Sequence, residues 1–238
     1  MPLELDSPSS VEDLYLDRGR PVEPWRPVMQ GDVFAGVTLH GLEPHDMVLV
    51  LSHPCSMRGA NGALVPRLQA VAVRPRQPIP LQDWVSRCIR WMPLPELIEG
   101  DQQFYAGALN DIGTIESANL DLSNRLACLS ERGILLFQQR FAANLARVKV
   151  KLTTLERASG AVLIEAELQE EWLGALAQRR CATGEDQDAV LAEETAAFDE
   201  FFGAGGVESY RAQLADTARR AAVRRAVRQE VERRIADA

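Results

Sequence analysis

The sequence predicts an α+β protein with a β-rich N-terminal half and a helical C-terminal half. Three observations carry this. Residues 31–39 (GDVFAGVTL) are β-branched and apolar. Met47–Leu51 is an uninterrupted apolar run, the pattern of a central strand buried on both faces. From Ser130 the apolar period turns helical, and the last run, Val207–Ala238, holds neither Gly nor Pro.

Taken in order, residues 1–27 read as an N-terminal arm. Ser9 with Glu12 forms a capping-box pattern for a short helix that Gly19 would end. The stretch Arg20–Pro27 (RPVEPWRP) is too proline-rich for helix or central strand and reads as an extended strap, which Trp25 would dock onto the barrel. Residues 28–130 form the predicted β domain. Its strands are 31–39 and 46–52, separated by the turn-like HGLEPH, and then a run through Val73 after the loop SHPCSMRGANG. Pro80–Cys88 suits a short helix, and Gln102–Ser117 one or two strands. Arg125–Ser130 is compatible with a last strand or a helix start.

Residues 131–238 form the predicted helical region. Ser130 is placed to cap its first helix, with Phe137, Phe141, Leu145 and Val148 as the apolar stripe. Helical texture continues through 163–180 and 189–202, and GAGG (203–206) breaks it. Val207–Ala238 is expected as one long helix, with Tyr210, Leu214, Ala221, Val223, Val227, Val231 and Ile235 as its apolar side. A step of four drifts by about 40° per repeat on a helix of 3.6 residues per turn. That stripe suits packing onto its own domain better than a coiled coil.

The 238 residues suffice to bury a core without disulfides or metals. No apolar run approaches the ~20 residues of a membrane span. The N-terminus is acidic and lacks an apolar signal core, so a soluble, cytoplasmic protein with no membrane partner is expected. The four cysteines lie far apart and suit reduced thiols. A net charge of −8 disfavours binding nucleic acid over the whole surface. The charge is segregated, however. Residues 165–202 hold eleven acids and two bases, a net −9, whereas residues 207–238 hold eight arginines and five acids, a net +3. The expectation is mutual neutralisation of the two segments. The alternative is that Arg219, Arg220, Arg224, Arg225 and Arg228 meet a nucleic acid or an acidic protein partner.

Gly31-Asp32-Val33-Phe34, then Val48-Leu49-Val50-Leu51-Ser52, then Leu64-Val65-Pro66, resemble the opening strands of the PemK/MazF family of toxin-type SH3-like barrels. The resemblance covers Gln30–Pro75 and implies a small SH3-like barrel from residue 28 to residue 130. It also implies a toxin–antitoxin setting and, if the family's activity is kept, metal-independent RNA cleavage. The family's Arg-Pro pair is replaced by Asp46-Met47, and the loop at 40–45 lacks the arginine expected at the scissile phosphate. Cleavage would then rest on Ser52, His53 and Arg58. The segment Ser52–Arg58 also resembles a Ser-Gln-x-Cys-Asp motif of uncharacterised bacterial and phage-linked proteins, as do Arg125–Ser130 and Leu136–Arg140 with a second block of theirs. Ser56 stands where that motif has Asp.

All three histidines, His40, His45 and His53, precede Cys55 in a spacing H-x4-H-x7-H-x-C. Four such donors are able to complete a tetrahedral zinc site, although the spacing matches no standard zinc module. Asp101, Asp111, Glu116 and Asp121 are read as turn-forming or solvating acids. Three functions therefore follow. The first is a non-catalytic binding or assembly protein with a protein partner or homo-oligomer and no cofactor. The second is a MazF-like endoribonuclease. The third is a zinc-binding protein.

Overall fold

A computed structural model describes residues 5–18, 22–23, 25–40, 47–59, 63–182 and 184–237. By backbone contacts the chain separates into two compact units. One is residues 1–22, 28–57 and 64–158, and the other is residues 23–27, 58–63 and 159–238.

The first unit is a curled, wholly antiparallel half-barrel of seven strands plus helix, consistent with an α+β class. The strands are β1 (Tyr15–Arg18), β2 (Asp32–Ala35), β3 (Met47–Val50), β4 (Arg67–Arg76), β5 (Trp91–Leu94), β6 (Phe104–Glu116) and β7 (Arg125–Leu129). Their spatial order is β1-β7-β2-β3-β4-β6-β5. β3 is interior, between β2 and β4, as its unbroken apolar run requires. Val48 and Val50 join an apolar core with Phe34, Val37, Leu39, Met57 and Leu68. Leu49 is also fully buried.

The expected strand 31–39 is shorter than its composition suggests, because Gly36 takes φ +67° and ends β2 at Ala35. Its start is fixed by packing. Gly31 has φ +90°, and a Cβ there would lie 2.9 Å from the Leu129 side chain, so no other residue fits. Leu64–Pro66 lies outside β4, with Leu64 and Val65 packed against the core. Arg125–Leu129 resolves as a strand, β7, pairing with both β1 and β2.

Where a helix is predicted from Ser9, a 3-10 turn, Glu12–Leu14, runs into β1, and Gly19, expected to end that helix, lies outside the described residues. Ser10, not Ser9, accepts the backbone N–H of Asp13. Pairing of Tyr15 with Leu129 and burial of Leu14 and Tyr15 outweigh the local helix signal. The arm therefore contributes a strand to the sheet.

Two short helices, α1 (Pro54–Met57) and α2 (Trp84–Arg87), sit in the connections, and α3 (Glu131–Ala146) follows β7. Ser130 caps α3, its Oγ accepting the N–H of Gly133 at 3.0 Å. The predicted stripe of α3 is displaced. Phe137 is buried and Phe141 half-buried, but Leu145 and Val148 are exposed, and Val148 lies beyond the helix, which closes at Arg147 with φ +56°. The inner face instead carries Ile134, Leu136, Phe137, Arg140, Ala143 and Asn144. Asn144 donates to Leu109 O and Asn110 Oδ1, where β6 bulges against β4.

The second unit holds most of α4 (Leu152–Ala182), then α5 (Gln187–Gly203), α6 (Tyr210–Gln213) and α7 (Arg220–Asp237). Asp186 caps α5, and the glycine run after it breaks the helix, with Gly205 and Gly206 at positive φ. The core is aromatic. Trp172 meets Phe198 edge-on at 5.6 Å, Phe198 stacks on Phe202 at 4.9 Å, and Phe201 lies 5.1 Å from Tyr210.

The single long helix expected from Val207 is broken between Gln213 and Arg220. Asp216 folds back to accept the Ala218 N–H, and Arg220 Nε donates to Leu214 O, so local polar bonds replace helical ones. The apolar side of α7 is as predicted at Val223, Val227 and Val231, which are buried, and at Ile235, whereas Ala221 is exposed. Trp25, expected to dock the strap onto the barrel, packs against this helical core.

Candidate functional site

The residues expected to carry chemistry near the end of β3 are largely engaged in building the fold. Ser52 is buried, and its Oγ accepts the backbone N–H of Gln69 at 2.8 Å, which continues the β3–β4 pairing by one residue. His53 accepts the Cys55 N–H through Nδ1 at 3.3 Å, and its carbonyl accepts from the N–H and hydroxyl of Ser56. Burial lowers the His53 pKa, so the neutral ring that accepts this bond is favoured. Cys55 is exposed on α1. Arg58 belongs to the second unit, whereas Ser52 and His53 belong to the first.

Of the expected metal donors, His45 lies outside the described residues, as does the turn 41–46. His40 is exposed, with Nε2 3.8 Å from Glu116 Oε1. Among the described residues no group of three or more His, Cys, Asp or Glu is placed to hold a metal ion. Of the four acids, Asp101 and Asp121 serve turns as read, whereas Asp111 and Glu116 lie in β6 and pair with arginines of β4. Asp101 accepts from Gln103 N and Tyr105 OH, Asp111 pairs with Arg74, Glu116 pairs with Arg67, and Asp121 caps the turn at Ser123.

The five arginines proposed as partner contacts are mostly matched within their own unit. Arg224 grips Glu167 bidentately, both bonds at 2.7 Å, and Arg228 meets Glu171 at 2.7 Å. Both pairs are 57 residues apart, so α4 and α7 run in the same direction side by side. Arg219 pairs with Asp216 at 3.6 Å, and Arg220 donates to a carbonyl. Arg225 is exposed. The acidic and basic segments thus neutralise each other, as their composition suggested. The hydrogen bond from Arg224 holds the Glu167 carboxyl below the usual carboxylate range.

A site that sequence reasoning missed lies where the two margins of the half-barrel meet. β1 and β5 are the outer strands of the sheet, yet β1 reaches the residues that follow β5. Tyr15 OH donates to Pro95 O at 3.0 Å, and Arg18 NH1 donates to Glu96 O at 3.2 Å and pairs with Glu96 Oε2 at 2.8 Å. The Arg18 guanidinium also lies 5.2 Å from the Tyr15 ring centroid. Among the described residues the seam is therefore closed by side chains and not by a backbone ladder.

Pro95 and Leu97 are both buried, and the residue between them turns tightly. Glu96 takes φ +52°, a conformation that costs a non-glycine residue about 1–3 kcal/mol. Arg18, bonded to both its carbonyl and its carboxylate, holds it there.

Beside the seam opens a cleft of about 530 Å³ lined by Asp17, Arg18, Glu96, Ile98, Glu99 and Asp101, with Gly100 between the last two. Four carboxylates face one guanidinium, and that guanidinium is already paired. Hydrogen bonds from Gln103 and Tyr105 hold the Asp101 carboxyl below its ordinary value, so it stays ionised. Burial, and then the bond to Asp101, push the Tyr105 phenol up. The cleft is a surface of negative charge. The one signal in the sequence was the acid-rich run Glu96–Asp101, which is legible as a site only once β1 is known to be a strand.

No family model matches the chain, and no curated protein matches it.

Proposed function

We propose that this chain is a non-catalytic binding or assembly protein. Its half-barrel, of the SH3-like type implied by Gly31–Phe34 and Val48–Ser52, presents the acidic seam cleft to a basic segment of a protein partner. The seam itself carries this reading: two sheet margins joined through Tyr15 and Arg18, a strained Glu96 between them, and a cleft with four acids against one paired base. Strain retained at a surface turn is characteristic of binding sites. Field lines from a cleft of one sign favour a cationic ligand and speed its encounter. The net charge of −8 and the internal pairing of Arg224 and Arg228 favour a protein partner over nucleic acid.

The ribonuclease reading asks Ser52 and His53 to act while both already hold backbone N–H groups.

The test is titration of a labelled ten-residue peptide of alternating Lys and Ala into the whole protein, followed by fluorescence anisotropy. Binding is expected, weakening with salt, and about tenfold weaker in Glu99→Lys/Asp101→Asn. Equal affinity for the variant would remove the cleft from consideration. RNA cleavage that survives EDTA and vanishes in Arg58→Ala would replace the proposal with the nuclease.

A further inference from the structure

A second surface of the half-barrel unit holds the chain's own Leu5 and Asp6. Leu5 and Asp6 meet α2 and α3 through main-chain and side-chain groups. Leu5 N–H donates to Val85 O at 2.8 Å, and the Leu5 side chain is buried. Asp6 N–H donates to Gln139 Oε1 at 2.8 Å. The Asp6 carboxylate accepts from Gln139 Nε2 at 2.7 Å, with Lys149 Nζ 3.9 Å away. The Asp6 carbonyl accepts from Arg140 NH2 at 2.8 Å.

Gln139 also donates to Val150 O at 2.7 Å, so its amide has one orientation that satisfies all three partners. It thereby reads both the main chain and the side chain of one residue. Such paired main-chain and side-chain reading is how peptide-binding domains take extended ligands.

The readers belong to the folded core and not to the segment they hold. Gln139 and Arg140 are fully buried on α3, and Arg140 lies 5.4 Å from the ring centroid of the buried Trp84. The segment serves Arg140 incompletely. The guanidinium donates to Leu136 O and Asp6 O, its buried Nε meets no acceptor among the described residues, and no carboxylate there lies within ion-pair distance. Burial accordingly lowers its pKa to about 10. The Arg140 guanidinium is thus held by carbonyls and not by a carboxylate, so its desolvation is only partly offset.

We propose that this groove is a docking site for an extended Leu-Asp segment of a partner protein, and that the chain's own Leu5–Asp6 occupies it in cis and competes for it. The groove shares no residue with the seam cleft, so either assignment can fail alone. A partner engages by displacing the segment, and the segment acts as a built-in competitor that sets the threshold for binding.

The probe is the synthetic peptide Leu-Glu-Leu-Asp-Ser-Pro-Ser, labelled and capped, titrated into the full chain. Asp6→Ala removes the carboxylate that Gln139 holds, so the peptide is expected to bind that variant about tenfold more tightly than it binds the unaltered chain. Adding Gln139→Glu sets a carboxylate against the peptide's Asp and should abolish the gain, as should a peptide with Ala in place of Asp. Equal affinity for the unaltered chain and Asp6→Ala, or binding indifferent to Gln139→Glu, overturns the proposal. If Asp6→Ala fails to fold, the unaltered chain decides the matter. Excess peptide should accelerate hydrogen exchange at the Asp6 amide as the cis segment is displaced, and an unchanged exchange rate would refute the competition.

Discussion

The half-barrel holds one ion pair at zero exposure, whereas most ion pairs of the helical unit lie at the rim of an aromatic core. In the first unit Asp32 and Arg125 are both fully buried and joined at 3.0 Å, and Asp32 also accepts the Met29 N–H. Asp32 follows Gly31 at the start of β2 and Arg125 opens β7, so the pair ties together two strands distant in sequence. Gln30 adds a buried bond to Leu51 O, and Gln138 donates to Gln30. In the second unit the interior is Trp172, Phe198, Phe202 and valines of α7, while Arg180 gathers Glu185, Glu193 and Glu194, and Arg224 and Arg228 line up on α4. The contrast teaches that similar ion pairs do different work. Buried pairs fix which strands meet and cost much if halved, whereas rim pairs fix the register of helices that the apolar core already holds together.

The largest expected effect tests the buried pair. Arg125→Ala leaves the Asp32 charge buried without its guanidinium and should cost about 3–5 kcal/mol, read as a fall in the denaturant midpoint of the half-barrel unit. Asp32→Asn/Arg125→Met keeps an acceptor for the Met29 N–H and removes both charges, so most of that loss should return. A double variant as unstable as Arg125→Ala would show that packing volume, and not the orphaned charge, carries the effect.

Some of this contrast was legible in the sequence. The unbroken Val48–Leu51 run implied an interior strand because only burial on both faces suits it, and Ser130 announced the start of α3 through its capping chemistry. The opposite charges of residues 165–202 and 207–238 implied their pairing. What was not legible depends on partners far along the chain. The strand character of β1 comes from pairing with Leu129 and Ala127, and nothing local outweighs the capping-box pattern at Ser9 and Glu12. The inner face of α3 was misread because Arg140 and Asn144, polar residues, point inward to serve Asp6 and the β6 bulge. The seam cleft joins residues about 80 positions apart, a juxtaposition that no periodicity encodes.

A smaller effect tests the rim. Glu167→Gln and Glu171→Gln should each cost roughly 0.3–1 kcal/mol and leave the fold intact. The loss should shrink as salt rises from 0.05 to about 0.5 M, because exposed charges are screened over ~10 Å at 0.1 M. The Arg125 variant should show no comparable salt dependence. A salt-insensitive cost at Glu167 would mean that the bidentate pair behaves as a buried one, and the contrast between the units would weaken.

The smallest effect separates the units by pH. The His53 pKa is lowered from 6.5 by burial, so between its folded value and 6.5 the unfolded chain binds more protons than the folded one. The half-barrel should therefore lose stability gradually as pH falls below 6.5. Glu167 is lowered from 4.5 by the hydrogen bond from Arg224, and Glu230 from 4.5 by bonds from Arg233 and Arg234. By the same linkage, their contribution persists above 4.5 and is lost only as pH falls through their folded values. Hydrogen exchange resolved to single amides, measured at steps from pH 7.5 to 5, should show amides of β3 and β4 losing protection while those of α5 and α7 keep theirs, after correction for intrinsic rates. His53→Gln keeps a side-chain acceptor without the titration and should flatten the β3–β4 response. If the slope persists in that variant, another group in the half-barrel is titrating and the assignment to His53 fails.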